Sequence, residues 1–107
     1  MRRVVQMGET VVVRYETRAD AAAENQRLVE RVFRELNETA PEGLRYGAFR
    51  LADGVGFVHV ALVEGDDNPL RRSAAFAEFQ HGAAGRMAVP PVSAGATLVG
   101  SYRLFRS

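Results

Sequence analysis

The run Phe57-Val58-His59-Val60-Ala61-Leu62-Val63 has no polar side: Val58, Val60 and Leu62 point one way along a strand, while Phe57, Ala61 and Val63 point the other. An antiparallel strand with one face in water alternates apolar with polar residues, so a strand of this composition needs a cover on each face. The run is the second arm of a hairpin. Leu44 to Leu51 and Val55 to Val63 both read as strands, and they meet through Asp53-Gly54, a pair suited to a two-residue turn.

The flanking segments supply the cover for one face. Ahead of the hairpin, Thr10 to Thr17 is short, β-branched and aromatic, which predicts a strand. Asp20 then offers an N-cap, with Glu24 placed favourably in the first turn of a helix. Leu28, Val29, Val32, Phe33 and Leu36 form a stripe at helical spacing, and Glu30 with Arg34 and Arg31 with Glu35 form i,i+4 pairs on the opposite side. The segment Thr39-Ala40-Pro41-Glu42-Gly43 closes this helix. After the hairpin, Asn68 as N-cap and Pro69 at the first helical position open a second helix. It runs through Leu70, Ala74, Phe76 and Phe79 towards Gly82 or Gly85. Val89-Pro90-Pro91-Val92 reads as an extended linker, and Ala96 to Phe105 as a last strand interrupted at Gly100.

This order, βαββαβ, predicts an α+β, ferredoxin-like domain: a four-stranded antiparallel sheet with two helices on one face. All of 1–107 is read as one domain, with an ordered core over about 10–105. Two helices shield only one side of the sheet, so the expected partner is a second copy of the chain, packed sheet to sheet as a homodimer.

Bulk properties exclude more than they assign. Hydrophobic residues are 47% and charged residues 25% of the chain, an ordinary globular balance. A net charge of +1 gives no footprint for nucleic acid, and no apolar run approaches a membrane span. Met1-Arg2-Arg3 is basic but is followed by no apolar h-region, so no export signal is expected. Without cysteine there is no disulfide framework, thiolate metal site or thiol nucleophile, which suits a cytoplasmic protein. All 14 basic residues are arginine, so lysine-based covalent chemistry is impossible here.

The chain resembles the antibiotic-biosynthesis-monooxygenase-like superfamily of dimeric α+β barrels. The resemblance runs from Thr10 to Phe105. It rests on the element order, the amphipathic first helix, the Asn68-Pro69-Leu70 entry to a helix carrying Phe76-Ala77-Glu78-Phe79, and the closing Val99-Gly100-Ser101-Tyr102-Arg103-Leu104-Phe105. It implies the fold, the dimer and, among the superfamily's activities, cofactor-independent oxygenation of aromatic substrates. Haem-degrading members use an Asn, a Trp and a His. This chain has no Trp and no Asn in its first strand, so haem degradation is not expected and no catalytic residue is carried over.

Candidate chemistry comes instead from indexing the hairpin. With Ala52 opposite Val55, Arg50 faces Phe57, Ala48 faces His59 and Tyr46 faces Ala61, which gathers Tyr46, Arg50, Phe57 and His59 on one face. In that cluster His59, Tyr46 and Arg50 are the candidate catalytic residues and Phe57 a candidate pocket residue. His59 reads either as a general base or as a hydrogen-bonded core group. His81, near the end of the second helix, reads as a helix-terminus residue, and Phe33, Phe76 and Phe79 as core. Two histidines on separate elements make no metal site. Gly82-Ala83-Ala84-Gly85 follows no strand and is no phosphate loop, and Asp66-Asp67 reads as charge at a helix start. No cofactor is expected. Two functions fit: a small cofactor-independent oxygenase or related enzyme with an aromatic or apolar substrate, or a non-catalytic dimeric ligand-binding or interaction module.

Overall fold

The structure, a computed structural model, describes residues 8–104. Strand β1 (Glu9–Thr17) leads through a 3-10 turn (Ala19–Ala21) into α1 (Ala22–Thr39). The hairpin β2 (Leu44–Arg50) and β3 (Gly56–Val63) follows. A 3-10 turn (Pro69–Arg72), α2 (Ala74–His81), a short α3 (Ala83–Arg86) and β4 (Met87–Ala96) complete the fold. The strands lie in the order β2-β3-β1-β4, every pairing antiparallel. This is the ferredoxin-like α+β arrangement.

The hairpin register is the one its turn residues predict: Arg50 faces Phe57, Ala48 faces His59 and Tyr46 faces Ala61. The turn itself is looser than two residues. Leu51 N–H donates to Gly56 O (2.8 Å), and Gly54 N–H, at φ 83°, closes a β-turn onto Leu51 O. Ladder hydrogen bonding stops one pair early, which leaves the register unchanged. The Asp53 carboxylate accepts from the Val55 and Gly56 amides (3.0 and 2.8 Å), and these donors hold its pKa below the usual carboxylate value.

Helix α1 buries Ala22, Asn25, Val29 and Val32, a stripe continuing N-terminally from the predicted one. It stops at Ala40, whose left-handed backbone (φ 47°, ψ 54°) lets its N–H reach Leu36 O before Pro41 turns the chain away. The core between sheet and helices is Tyr15, Ala22, Val29, Val32, Phe57, Leu70 and Phe79.

The structure corrects several sequence expectations. Asp20 does not cap α1; it lies within the 3-10 turn and pairs with Arg18 (3.1 Å). The expected i,i+4 ion pairs on α1 do not form: Glu30 accepts from Gln26 (2.9 Å) instead of pairing with Arg34, and Arg31 and Glu35 make longer reaches. Arg31 bonds Glu78 (3.0 Å), while Glu35 accepts from Ser73 Oγ and the Ala75 amide (3.2 Å), bracing the start of α2. These donors lower the Glu35 pKa. The second helix divides: Asn68 caps only the 3-10 turn, through Leu70 N–H (2.9 Å), and Ser73 caps α2 through Phe76 N–H (2.9 Å).

The largest correction concerns the last strand. Val89-Pro90-Pro91-Val92 is not a linker but lies within β4, which ends at Ala96, and the strand expected from Ala96 to Phe105 does not continue over 97–104. Phe105 lies outside the described residues, as does the basic Met1-Arg2-Arg3. Proline removes a ladder donor, but β4 is an edge strand and one side of it needs no donors. A register shift between Arg14 and Glu16 falls where the prolines sit.

The sheet face away from the helices carries Val12, Val58, Val60 and Leu62, each half-buried, with Phe49 and Val92 exposed (49% and 66%). Beyond β4, Val99 and Tyr102 are 97% and 80% exposed. No helix among the described residues is long and apolar enough to cross a membrane.

Candidate functional site

Three neighbouring strands each project one polar aromatic side chain toward the helices: Tyr46 from β2, His59 from β3 and Tyr15 from β1. Tyr15 faces Phe57 and Tyr46 faces Ala61, so each is a diagonal neighbour of His59, a separation that long side chains can span. The Tyr15 hydroxyl lies 2.8 Å from His59 Nε2, and the Tyr46 hydroxyl 2.7 Å from Nδ1. Both ring nitrogens are therefore engaged by phenols.

The chain of contacts continues inward. Asn25, fully buried on α1, donates from Nδ2 to the Tyr15 hydroxyl (2.9 Å), and its Oδ1 accepts from Arg86 Nε (2.9 Å). Arg86 is only 5% exposed, donates to Phe79 O (2.7 Å), and stacks over the Phe79 ring at 5.3 Å. Among the described residues no carboxylate pairs with it. Gly82 leaves room for the guanidinium, since a Cβ there would stand 3.2 Å from it.

Burial sets the protonation states. It lowers the His59 pKa to about 4, so the imidazole is neutral at pH 7. It raises Tyr15 to about 12, against the partial opposition of the Asn25 hydrogen bond and the Arg86 charge. It raises Tyr46 further, with Tyr15 adding to the effect. The site is a line of uncharged groups with a cation at its buried end.

The line borders a cavity of about 280 Å³. Its walls are chiefly apolar, including Val11, Val13, Leu70, Phe76, Phe79 and Met87, while Tyr15, Tyr46 and His59 converge on it. This mixture suits a small apolar ligand with a few polar anchors. A wider groove of about 870 Å³ lies against the segment after β4, with Arg45 and Glu64 on its wall, and holds no comparable cluster.

Of the residues singled out from sequence, Tyr46 and His59 meet. Arg50 shares their sheet face but turns to the hairpin end, where it donates to Gly54 O and Gln26 Oε1 (both 2.8 Å) and lies 5.8 Å from the Phe57 ring. Phe57 is 2% exposed, stacks on Tyr15 at 5.4 Å and lies outside the cavity wall. His81 is exposed at the end of α2. Phe76 and Phe79, read from sequence as core, also form cavity wall. No group of acidic, histidine or cysteine residues suited to a metal occurs among the described residues. Sequence reasoning missed Tyr15, Asn25 and Arg86. One signal was available: Asn25 sits four residues before Val29, on the apolar stripe.

No family model and no curated protein matches the chain. Solved structures do match it in fold. A protein of Nitrosomonas europaea assigned as an antibiotic biosynthesis monooxygenase superposes with a TM-score of 0.72 at 13% identity, over 92% of this chain and 96% of that one. A variant of SnoaB, a cofactor-independent oxygenase from Streptomyces nogalater, gives 0.61 at 18% identity, over 88% and 95%. A monooxygenase from Streptomyces coelicolor, in complex with nanaomycin D, gives 0.56 at 21%, over 89% and 90%. The chain has the ferredoxin-like α+β fold of the antibiotic-biosynthesis-monooxygenase-like proteins.

Proposed function

We propose that the protein binds a small hydroxylated aromatic molecule in the cavity beneath α2 and promotes its oxidation by dioxygen, as a cofactor-independent monooxygenase. The observation carrying this reading is the neutral His59, held between two phenols at the edge of an apolar, aromatic-walled cavity. An electron-rich ring can itself supply the electrons that dioxygen needs: one oxygen atom enters a ring carbon and the other leaves as water. The chain's part is to orient the ring between Phe76, Phe79 and Leu70, and to hold the substrate oxygen against the Tyr46–His59 pair. The oxygenases of the same fold named above support the reading by likeness of architecture alone. Arg50, bound at the hairpin end, has its place here as a brace of that end rather than as a contact of the substrate.

Oxygen uptake tests it. In the presence of 1,4-dihydroxynaphthalene or anthrone, the protein should consume dioxygen faster than the uncatalysed solution, and His59→Ala and Tyr46→Phe should remove the excess. Uptake equal to the protein-free rate across a series of such compounds would leave ligand binding without turnover. That second reading is favoured by one observation: an imidazole with a pKa near 4 is a weak base. Haem should not be degraded, since the chain has no Trp.

The apolar outer sheet face belongs to the same proposal. Two such faces packed about a two-fold axis would bury Val12, Val58, Val60 and Leu62, with about 1,200–2,000 Å² of total area. Light scattering should then give twice the 11.7 kDa of one chain.

A further inference from the structure

The hydrogen bonds from Arg86 to Tyr46 take one direction when Tyr15, the more buried of the two phenols at 3% exposed, donates its proton to a protein acceptor rather than leaving it unpaired. The half-buried Tyr46 is the phenol whose proton can reach a ligand. A guanidinium has donors and no acceptor, so the Asn25 atom facing Arg86 is the amide oxygen. The Asn25 amide nitrogen then faces Tyr15 and must donate, so the Tyr15 oxygen accepts. The Tyr15 proton passes to its other neighbour, His59 Nε2. A neutral imidazole with Nε2 accepting carries its proton on Nδ1 and donates to the Tyr46 oxygen. The Tyr46 hydroxyl proton is left without a protein acceptor among the described residues, on a side chain that lines the cavity.

We infer that Arg86, which lies behind the cavity wall against Phe79, sets the direction of this chain, so that Tyr46 meets the ligand as a hydrogen-bond donor and the cavity selects aromatic molecules that enter with a phenolate or carbonyl oxygen foremost. This deepens the proposed function and rests on the same cavity. Arg86 and Asn25 are positioning residues and Tyr46 is the group in contact. Every dipole in the line points its positive end at the cavity, with a cation behind it that no carboxylate among the described residues pairs, and such an array favours negative charge on the bound oxygen. Glu9, the one carboxylate on the cavity wall among the described residues, opposes this from the far end of the sheet, where it is exposed and faces Val63. Tyr15 and Tyr46 themselves stay protonated through neutral pH.

The inference can be tested without turnover. In ¹⁵N NMR of the free protein, His59 should be a single tautomer with the proton on Nδ1. Asn25→Asp keeps the shape and an acceptor for Arg86 but removes the amide donor. Tyr15 then donates to the new carboxylate, His59 Nε2–H donates to Tyr15, and Tyr46 donates to Nδ1, so the proton moves to Nε2. The second readout is 3,4,5-trifluorophenol, whose ring bears no other oxygen and whose ¹⁹F shifts report its ionisation. Bound to the wild-type protein, its apparent pKa should fall by about one unit or more, a roughly ten-fold preference for the phenolate of the size a charge-assisted hydrogen bond supplies. Bound to the Asn25→Asp protein it should not fall. An Nε2–H tautomer in the wild type, an unchanged tautomer in Asn25→Asp, or equal phenolate preference in both proteins would overturn the inference. Arg86→Met should give mixed tautomers if it folds; if it does not, the Asn25→Asp comparison decides alone. Phenolate preference without oxygen uptake would sink the oxygenase reading and leave this one standing, and uptake without the preference would do the reverse.

Discussion

On the helix side of the sheet, Tyr15, Tyr46 and His59 carry polar atoms into the interior, and each finds a partner there. On the other side of the same strands, Val12, Val58, Val60 and Leu62 alternate with them as an apolar patch, with Thr10, Arg14 and Arg45 on the same face around it. The two faces show opposite strategies in one sheet. The covered face tolerates polar groups because Asn25 and Arg86 complete a network before any atom is left alone. The open face in the isolated chain is the apolar one, the reverse of what a monomer would choose. In the proposed function, ligand and partner subunit meet different faces, with the hydrogen-bond ladder of three strands between them.

The comparison breaks most readily on the outer face. Val60 stands mid-strand, between Val12 and Gly47. Val60→Asp would bury an unpaired carboxylate at a dimer interface, at a cost of several kcal/mol against a total stability of about 5–15 kcal/mol. It should yield no folded protein in soluble expression. A well-folded variant of 11.7 kDa would remove the outer face's role as an interface.

The inner face is next in size. His59→Ala strands the Tyr15 and Tyr46 hydroxyls and should cost about 2–4 kcal/mol in urea denaturation. The same residue makes stability depend on pH. Its folded pKa of about 4 lies below the ordinary value of 6.5, so between these values the unfolded chain holds more protons. Stability should therefore be full above pH 6.5 and fall by about 3 kcal/mol as the pH drops to 4. Glu35 and Asp53, with lowered pKa values, add losses on the more acid side. His59→Gln should flatten the curve between pH 6.5 and 4.5, and an unchanged slope would contradict a buried neutral imidazole.

Two smaller effects sharpen the contrast between satisfied and unsatisfied groups. Thr17 Oγ1 is buried without a hydrogen-bond partner, the exception to the rule of the inner face. Thr17→Val keeps its shape and should raise stability by about 1 kcal/mol. Ala40 holds a left-handed backbone that favours glycine. Ala40→Gly should stabilise by roughly 0.5–1 kcal/mol, net of the entropy gained by the unfolded chain. Differential scanning calorimetry resolves both; a loss of stability in either would show that local strain is relieved elsewhere.

The sequence made the hairpin legible in register because shortening a ladder symmetrically changes no pairing, so a loop longer than expected left Arg50 opposite Phe57. It made the face shared by Tyr46 and His59 legible for the same reason. β4 was misplaced because Pro90-Pro91 reads as a break until the strand is known to lie at an edge. The network's inner half was hidden by distance. Asn25 and Arg86 lie 61 residues apart, and nothing local marks a helical asparagine as the acceptor of a particular arginine. Glu35 was hidden similarly: its spacing suited Arg31, but the start of α2 offered it better donors, the Ser73 hydroxyl and the Ala75 amide.

One measurement bears on the division of labour between the faces as a whole. With isotope-labelled protein, titration of 1-naphthol should shift the signals of Val11, Val13, Ala61, Leu70 and Met87, which line the inner cavity, and leave Val12, Val58, Val60 and Leu62 in place. Shifts confined to the outer set, or none at saturating ligand, would contradict the account.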